Sequence, residues 1–206
     1  MMRDKLLNWA AELQSIAQAG LYYGHDDFDR ERYERIREIS AEMLSERSDL
    51  PAEKVRGLFC GEVGYQTPKV DTRAAIFRDG KILLVRERSG RWTIPGGWCE
   101  YNMSPADSTV KEAKEEAGLN VSVKKLIAVQ DRAKHNIPEY IYGVVKIFYL
   151  CEDEGGEFSR NIETTESRYF AEDEIPDNLA TEKCSREQIM MCFEASRSEH
   201  WTAKFD

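Results

Sequence analysis

The sequence predicts an α+β protein in which a small all-α unit, residues 1–66, precedes a mixed-strand domain, residues 67–206. Apolar residues recur at helical spacing up to about residue 58, and at strand-like alternation from residue 70 onward. Between them, residues 61–68 hold two glycines and a proline, the composition of a boundary. Beyond it, strands interrupted by one acidic helix and closed by another form an α+β order.

In the first unit, residues 4–19 carry Leu6, Leu7, Trp9, Ala10, Leu13, Ile16 and Ala17 at helical spacing, and Gly20 is expected to end the run. A second helix covers about 27–46, with Tyr33, Ile36, Ile39, Met43 and Leu44 as its apolar side. Leu50-Pro51-Ala52-Glu53 opens a third that reaches about residue 58, with Pro51 at its beginning. A unit of this size buries little surface alone. Its aromatic residues Trp9, Tyr22, Tyr23, Phe28 and Tyr33 are expected in its core, the alternative being a face for a partner.

The second unit opens with a strand at 70–77, a hairpin turn at Asp79-Gly80 and a returning strand at 81–86. Residues 91–94 lead into Pro95-Gly96-Gly97, and strands follow at 121–130, 140–151 and 164–170, with a turn expected at Gly155-Gly156. A helix over 185–195, with Ile189, Met190 and Phe193 apolar, closes the chain.

The acidic helix organises the rest. Ser104 is its N-cap, Pro105 its first residue, Asp107 completes a capping box and Gly118 supplies the stop. Ala106, Val110, Ala113 and Ala117 form a narrow stripe that lets the helix lie close on a sheet. Glu112, Glu115 and Glu116 cluster within an arc of about 100° on another face. Like charges at these spacings cost roughly 0.2–0.5 kcal/mol per pair, and the helix C-terminus prefers cations. A hard divalent cation, Mg²⁺ or Mn²⁺, removes both penalties.

Of 206 residues 41% are apolar and 33% charged, the balance of a soluble globular protein. No apolar run is long enough to span a membrane and the N-terminus lacks the apolar core of a signal peptide, so a cytoplasmic location without membrane partners is expected. Five widely spaced cysteines read as reduced thiols. A net charge of −9 disfavours nucleic acid as a partner.

Residues 97–119 resemble the signature of the Nudix hydrolases, Gly-x5-Glu-x7-Arg-Glu-apolar-x-Glu-Glu-x-Gly-apolar. Gly97, Glu112, Ala113, Glu115, Glu116, Gly118 and Leu119 match in register, whereas Met103 replaces the first Glu and Lys111 the Arg. The resemblance implies a Nudix α/β/α sandwich with a mixed sheet. It also implies metal ligands at Glu112, Glu115, Glu116 and the Gly96 carbonyl, with these three glutamates as the catalytic set. Glu100, three residues before Met103, is a candidate to take over the missing carboxylate. Gly20-Leu21-Tyr22-Tyr23 and the segment 28–36 resemble the helical preface of a Nudix subgroup that hydrolyses nucleoside diphosphates linked to a second group, CDP-choline and ADP-ribose among them. In that subgroup the preface tends to form a dimer, which implies a homodimer through the N-terminal helices.

The expected activity is therefore metal-dependent hydrolysis of a small nucleoside diphosphate derivative to a nucleoside monophosphate and a second phosphate. Met103 and Lys111 support another reading, a nucleotide-binding or regulatory domain of weak activity, and the preface a third, a dimeric interaction protein. The general base is left among Glu116, Glu163 and Glu166. Substrate contacts are expected from Arg73, Arg88, Trp98, Arg132 and His135, with Arg86 and Arg91 as further cations beside the strands.

Overall fold

Helix α1 (Lys5–Tyr23) buries Ala10, Gln14, Ala17 and Gln18, a stripe at the 3.6-residue period but not the one made of its largest side chains. The computed structural model describes residues 5–47 and 51–206. Its chain divides into two units, Met1–Pro68 and Lys69–Asp206.

In the first unit α1 pairs with α2 (Asp27–Ser45), which is capped by the Asp26 carboxylate, and α3 (Ala52–Phe59) adds Val55 and Phe59 to the interior. The α1/α2 contact includes small and polar groups, Ser40 Oγ donating to the Ala10 carbonyl at 2.6 Å, and Gln18 Nε2 of α1 donates to the Gly64 carbonyl, in the segment after α3, at 2.8 Å. Gly20 does not end α1, which continues to Tyr23. A Cβ there would lie 2.4 Å from the Tyr33 ring, so glycine is present to seat an aromatic side chain, not to stop a helix. The expected aromatic core is likewise corrected, because Trp9, Tyr22, Tyr23 and Phe28 are exposed and only Tyr33 is half-buried. Pro51 precedes α3 as its N-cap, and Leu50 lies outside the described residues.

The second unit is a sheet between two helices. Its strands are β1 (Lys69–Arg78), β2 (Lys81–Glu87), β3 (Trp92–Thr93), β4 (Leu119–Asp131), β5 (Val144–Gly156), β6 (Thr164–Phe170) and β7 (Lys204–Phe205). They run in the order β3-β2-β1-β5-β4-β7, with β6 on β2. β1/β5 and β4/β7 are parallel and the other pairs antiparallel, a mixed sheet. The β1/β2 hairpin turns at Asp79 and Gly80, both with positive φ, as a two-residue hairpin requires.

Alternate residues of the strands sort between the two faces. Ala75, Ile82, Leu84 and Phe148 join Ile189, Cys192 and Phe193 of α6 (Arg186–Arg197) in one core cluster. Ala74, Ile76, Leu83 and Val85 join Ala113 and Ala117 of α4 (Pro105–Ala117) in the other. The alanine stripe thus does what its size allows, with Ala113 and Ala117 fully buried.

Gly155 and Gly156 are the end of β5 and not a turn, since Gly156 pairs with Leu119 and a Cβ on it would meet the Gly118 carbonyl at 2.4 Å. The segment after β4 is a short helix, α5 (Arg132–His135), capped by Asp131. β7 was not foreseen, because two residues carry no period. All five cysteines are free.

Candidate active site

The loop after β3 lies along β1 as if it were one more strand. Ala74 N–H donates to the Pro95 carbonyl, Thr72 N–H to Gly97 and Cys99 N–H to Val70, each at 2.8 Å. Gly96 has φ +143°, and a Cβ there would fall 1.9 Å from the Thr72 carbonyl oxygen. A Cβ on Gly97 would fall 2.7 Å from Glu112 Oε1. The glycine pair therefore permits two close approaches, one to the strand beneath and one to the acidic helix above.

Helix α4 is set against this loop by its caps. Ser104 Oγ accepts from Asp107 N–H at 3.1 Å, and Gly118, with φ +72°, sits where a Cβ would meet the Glu157 carbonyl at 2.2 Å. The three glutamates then meet different surroundings. Glu116 is 5% exposed and accepts from Gly96 N–H at 2.9 Å. Glu112 is half-buried beside it, and Glu115 is exposed. Burial, then the Glu116 and Glu115 charges, pushes the Glu112 carboxyl up to about 7. Burial likewise raises Glu116, against the Gly96 hydrogen bond and the Arg73 charge.

Lys111 Nζ lies 2.6 Å from Glu115 and 3.0 Å from Glu100. A carboxylate from position 100 therefore reaches the cation of the acidic helix, although position 103 has none.

A cavity of about 810 Å³ opens between this helix and the strands. Its lining includes the acids Glu100, Glu112, Glu116, Glu163 and Glu182, the glycines Gly96 and Gly97, and the cations Arg91, Arg132, Lys146 and Lys183, with Tyr140. Arg73, 2% exposed, is not free for a ligand. Its Nε and Nη2 hold Asp71 at 2.8 and 2.5 Å, and its Nη1 donates to the Ile94 carbonyl at 3.2 Å, which fixes the root of the glycine loop. Lys146, 1% exposed, shares Asp71 at 2.7 Å, and burial pulls its ammonium down to about 8.

Of the expected contacts, Arg73, Trp98 and Arg132 line the cavity and Arg88 and His135 do not. Arg88 is an exposed residue whose N–H donates to the Glu163 carbonyl. His135 is turned to Asp206, at 3.0 and 3.1 Å, and ties α5 to the end of β7. Glu163 lines the cavity, whereas Glu166 faces Arg86 at 3.6 Å on the exposed side of the sheet. Asp71, Lys146, Tyr140 and Glu182 were not foreseen. The signal for the first two was present in the sequence: a charged residue inside an apolar strand, Val70-Asp71-Thr72 and Val145-Lys146-Ile147, is buried and paired or is not in a strand.

The donors at the acidic side suit a hard divalent cation. Two neighbouring carboxylates, both disfavoured as anions by burial and one by its neighbours as well, have backbone of a glycine turn beside them. Among the described residues no three acidic, His or Cys side chains are already gathered as a ligand set, Glu115 being engaged by Lys111.

Residues 68–190 match the family model of the NUDIX domain, and residues 4–59 match that of the UDP-X-like, N-terminal oligomerisation domain. The Bacillus subtilis (strain 168) protein YjhB, named as a provisional ADP-ribose pyrophosphatase, is 41% identical over 100% of this chain and 99% of its own. Among solved structures, a Streptococcus suis ADP-ribose pyrophosphatase is 50% identical with a TM-score of 0.64, over 68% of this chain and 100% of that one. A UDP-X diphosphatase is 32% identical with a TM-score of 0.64, over 100% of both chains. No helix among the described residues is long and apolar enough to cross a membrane.

Proposed function

The chain belongs to the Nudix hydrolases with a UDP-X-like N-terminal domain, and from that membership we propose that it is a Mg²⁺- or Mn²⁺-dependent pyrophosphatase of a nucleoside diphosphate joined to a second group. The substrate class is that of ADP-ribose and CDP-choline, and the products are a nucleoside monophosphate and a second phosphate. One observation carries the reading: a buried and a half-buried glutamate stand directly against a glycine turn in the wall of a cavity large enough for a nucleotide derivative.

Glu112, Glu115, Glu116 and the Gly96 carbonyl would hold the cation, which when bound neutralises diphosphate charge and lowers the pKa of a bound water. The chain's own work is positional. Gly96 N–H fixes one Glu116 oxygen, Arg73 anchors the loop through the Ile94 carbonyl, and Thr72 and Ala74 hold the loop's carbonyls in line. Glu116 or Glu163 takes the proton of the attacking water, both being on the cavity wall. Glu100, through Lys111, steadies Glu115 and supplies the support that Met103 lacks, which favours an enzyme over a domain of weak activity. The outward aromatic residues of the first unit support a homodimer through the N-terminal helices.

Phosphate-coupled turnover of ADP-ribose, CDP-choline, other nucleotide sugars and nucleoside triphosphates, with Mg²⁺, Mn²⁺ or chelator, tests the proposal. Cleavage of the diphosphate-linked class that chelator abolishes is the expected result. Turnover confined to triphosphates, or none, would overturn it.

A further inference from the structure

Helix α4 ends with two carbonyls past its last intrahelical bond, which runs from Gly118 N–H to the Lys114 carbonyl. Both are taken by the short segment 161–164 that leads into β6. Asn161 Nδ2 donates to the Glu115 carbonyl at 2.8 Å, and Thr164 Oγ1, fully buried, donates to the Glu116 carbonyl at 2.7 Å. The residues that offer those carbonyls are two of the three helix glutamates.

Asn161 does more than cap a helix end. Its Oδ1 accepts from Glu163 N–H at 2.9 Å and from Thr164 N–H at 2.8 Å, and its own N–H donates to the Thr164 carbonyl at 3.1 Å. The Glu163 carbonyl accepts from Arg88 N–H at 3.3 Å. Both backbone groups of Glu163 are therefore held, one of them by a side chain whose other end is on the acidic helix. Glu163 in turn lines the cavity together with Glu112 and Glu116. A cap alone needs only a donor, as Lys114 Nζ shows on the Gly118 carbonyl at 3.2 Å. An amide has a donor and an acceptor a fixed distance apart, so it can hold the helix end and the neighbouring acid's backbone at once.

We propose that Asn161 is a positioning residue that fixes Glu163 relative to Glu115 and Glu116, so that the acid of the loop and the acids of the helix keep one geometry through turnover. The effect on rate rests on the hydrolase reading; the tie itself does not.

The test is a double-mutant cycle in the full chain, with kcat and KM read for ADP-ribose, CDP-choline and UDP-glucose at saturating Mg²⁺. Asn161→Ala should lower kcat about tenfold or more while KM moves less than about twofold. Asn161→Asp keeps the acceptor for the Glu163 and Thr164 amides but loses the donor to the helix, and kcat should fall about as far. In Glu163→Gln, which itself should lower kcat, Asn161→Ala should cost little more, because the two residues act as one. Equal losses from Asn161→Ala in both backgrounds would reduce Asn161 to a helix cap and overturn the proposal. So would normal kcat in Asn161→Asp or in Glu163→Gln. Amide hydrogen exchange without metal gives a readout independent of turnover: the Glu163 and Thr164 amides should exchange roughly tenfold faster in Asn161→Ala, with Ile189 and Phe193 of α6 unchanged. Unchanged exchange at Glu163 and Thr164 would overturn the tie whatever the rates. If the unaltered chain cleaved none of the three substrates while the exchange still responded, the hydrolase reading would fail and the tie would stand.

Discussion

The two units of this chain place polarity in opposite ways. In the helical unit Gln14, Gln18 and Ser40 are buried while Trp9, Ile16, Tyr23 and Phe28 face outward. In the sheet unit the strands and α6 bury a large apolar core on both faces of the sheet, the exposed Tyr101, Ile162 and Phe205 lying outside it, and the buried charges all line the cavity: Asp71, Arg73, Lys146, Glu116 and Arg132. Burying an amide in place of a leucine gives up apolar burial worth ~25 cal/mol per Å², which makes sense where the apolar face is reserved for another surface. Burying a carboxylate needs a local partner or a ligand. On the proposed function, one unit is organised to meet a protein and the other to meet a small charged molecule.

The largest effect that sharpens this contrast is at Glu116. Glu116→Gln keeps the volume and still offers Gly96 N–H an oxygen, so kcat should drop by ~100-fold or more while the melting temperature and oligomeric mass stay as they were. A drop caused by unfolding would show in the melt and would void the assignment.

The matching variant in the other unit is Trp9→Glu with Phe28→Glu. These residues are 55% and 70% exposed, so the change costs little inside one chain. Light scattering should show the mass falling from dimer to monomer at micromolar concentration. An unchanged mass would mean that the outward aromatic face is not the interface.

A smaller effect concerns pH. Glu112 is raised from 4.5 to about 7, so the folded chain holds its proton where the unfolded chain has released it. Stability without metal should therefore fall as pH rises from about 5 to about 7. Saturating Mg²⁺, which binds the deprotonated carboxylate, should flatten that slope, and Glu112→Gln should remove it. A melting temperature with the same pH slope in Glu112→Gln would assign the slope to other groups. The least change is expected from Glu100→Gln, which loosens Lys111 and should raise the Mg²⁺ concentration at half-maximal rate severalfold without abolishing turnover.

Helix α4 was legible almost to the residue, because its signals are local: a Ser cap, Pro at the first position, an αL glycine and an alanine stripe at a fixed period. Local signals misled at Gly20 and at Gly155-Gly156. There glycine answers a neighbour distant in sequence, the Tyr33 ring or the Gly118 carbonyl, and not its own turn. His135 fails for a related reason. A polar residue near strand ends is a fair candidate for ligand contact, but Asp206, 71 residues on, takes its ring.

The sequence by itself determined the α+β order, the two faces of the sheet, and the glutamates and glycines of the acidic helix and its loop, since capping, period and chain stiffness act within a few residues. Only the tertiary structure decided which charges are engaged. It put Arg73 and Lys146 on Asp71, Lys111 between Glu100 and Glu115, and left Arg132 without a carboxylate. Pairing between buried charges depends on which strands lie side by side, and β1 lies beside β5 only because some 75 residues of chain return to it in register, Asp71 opposite Lys146.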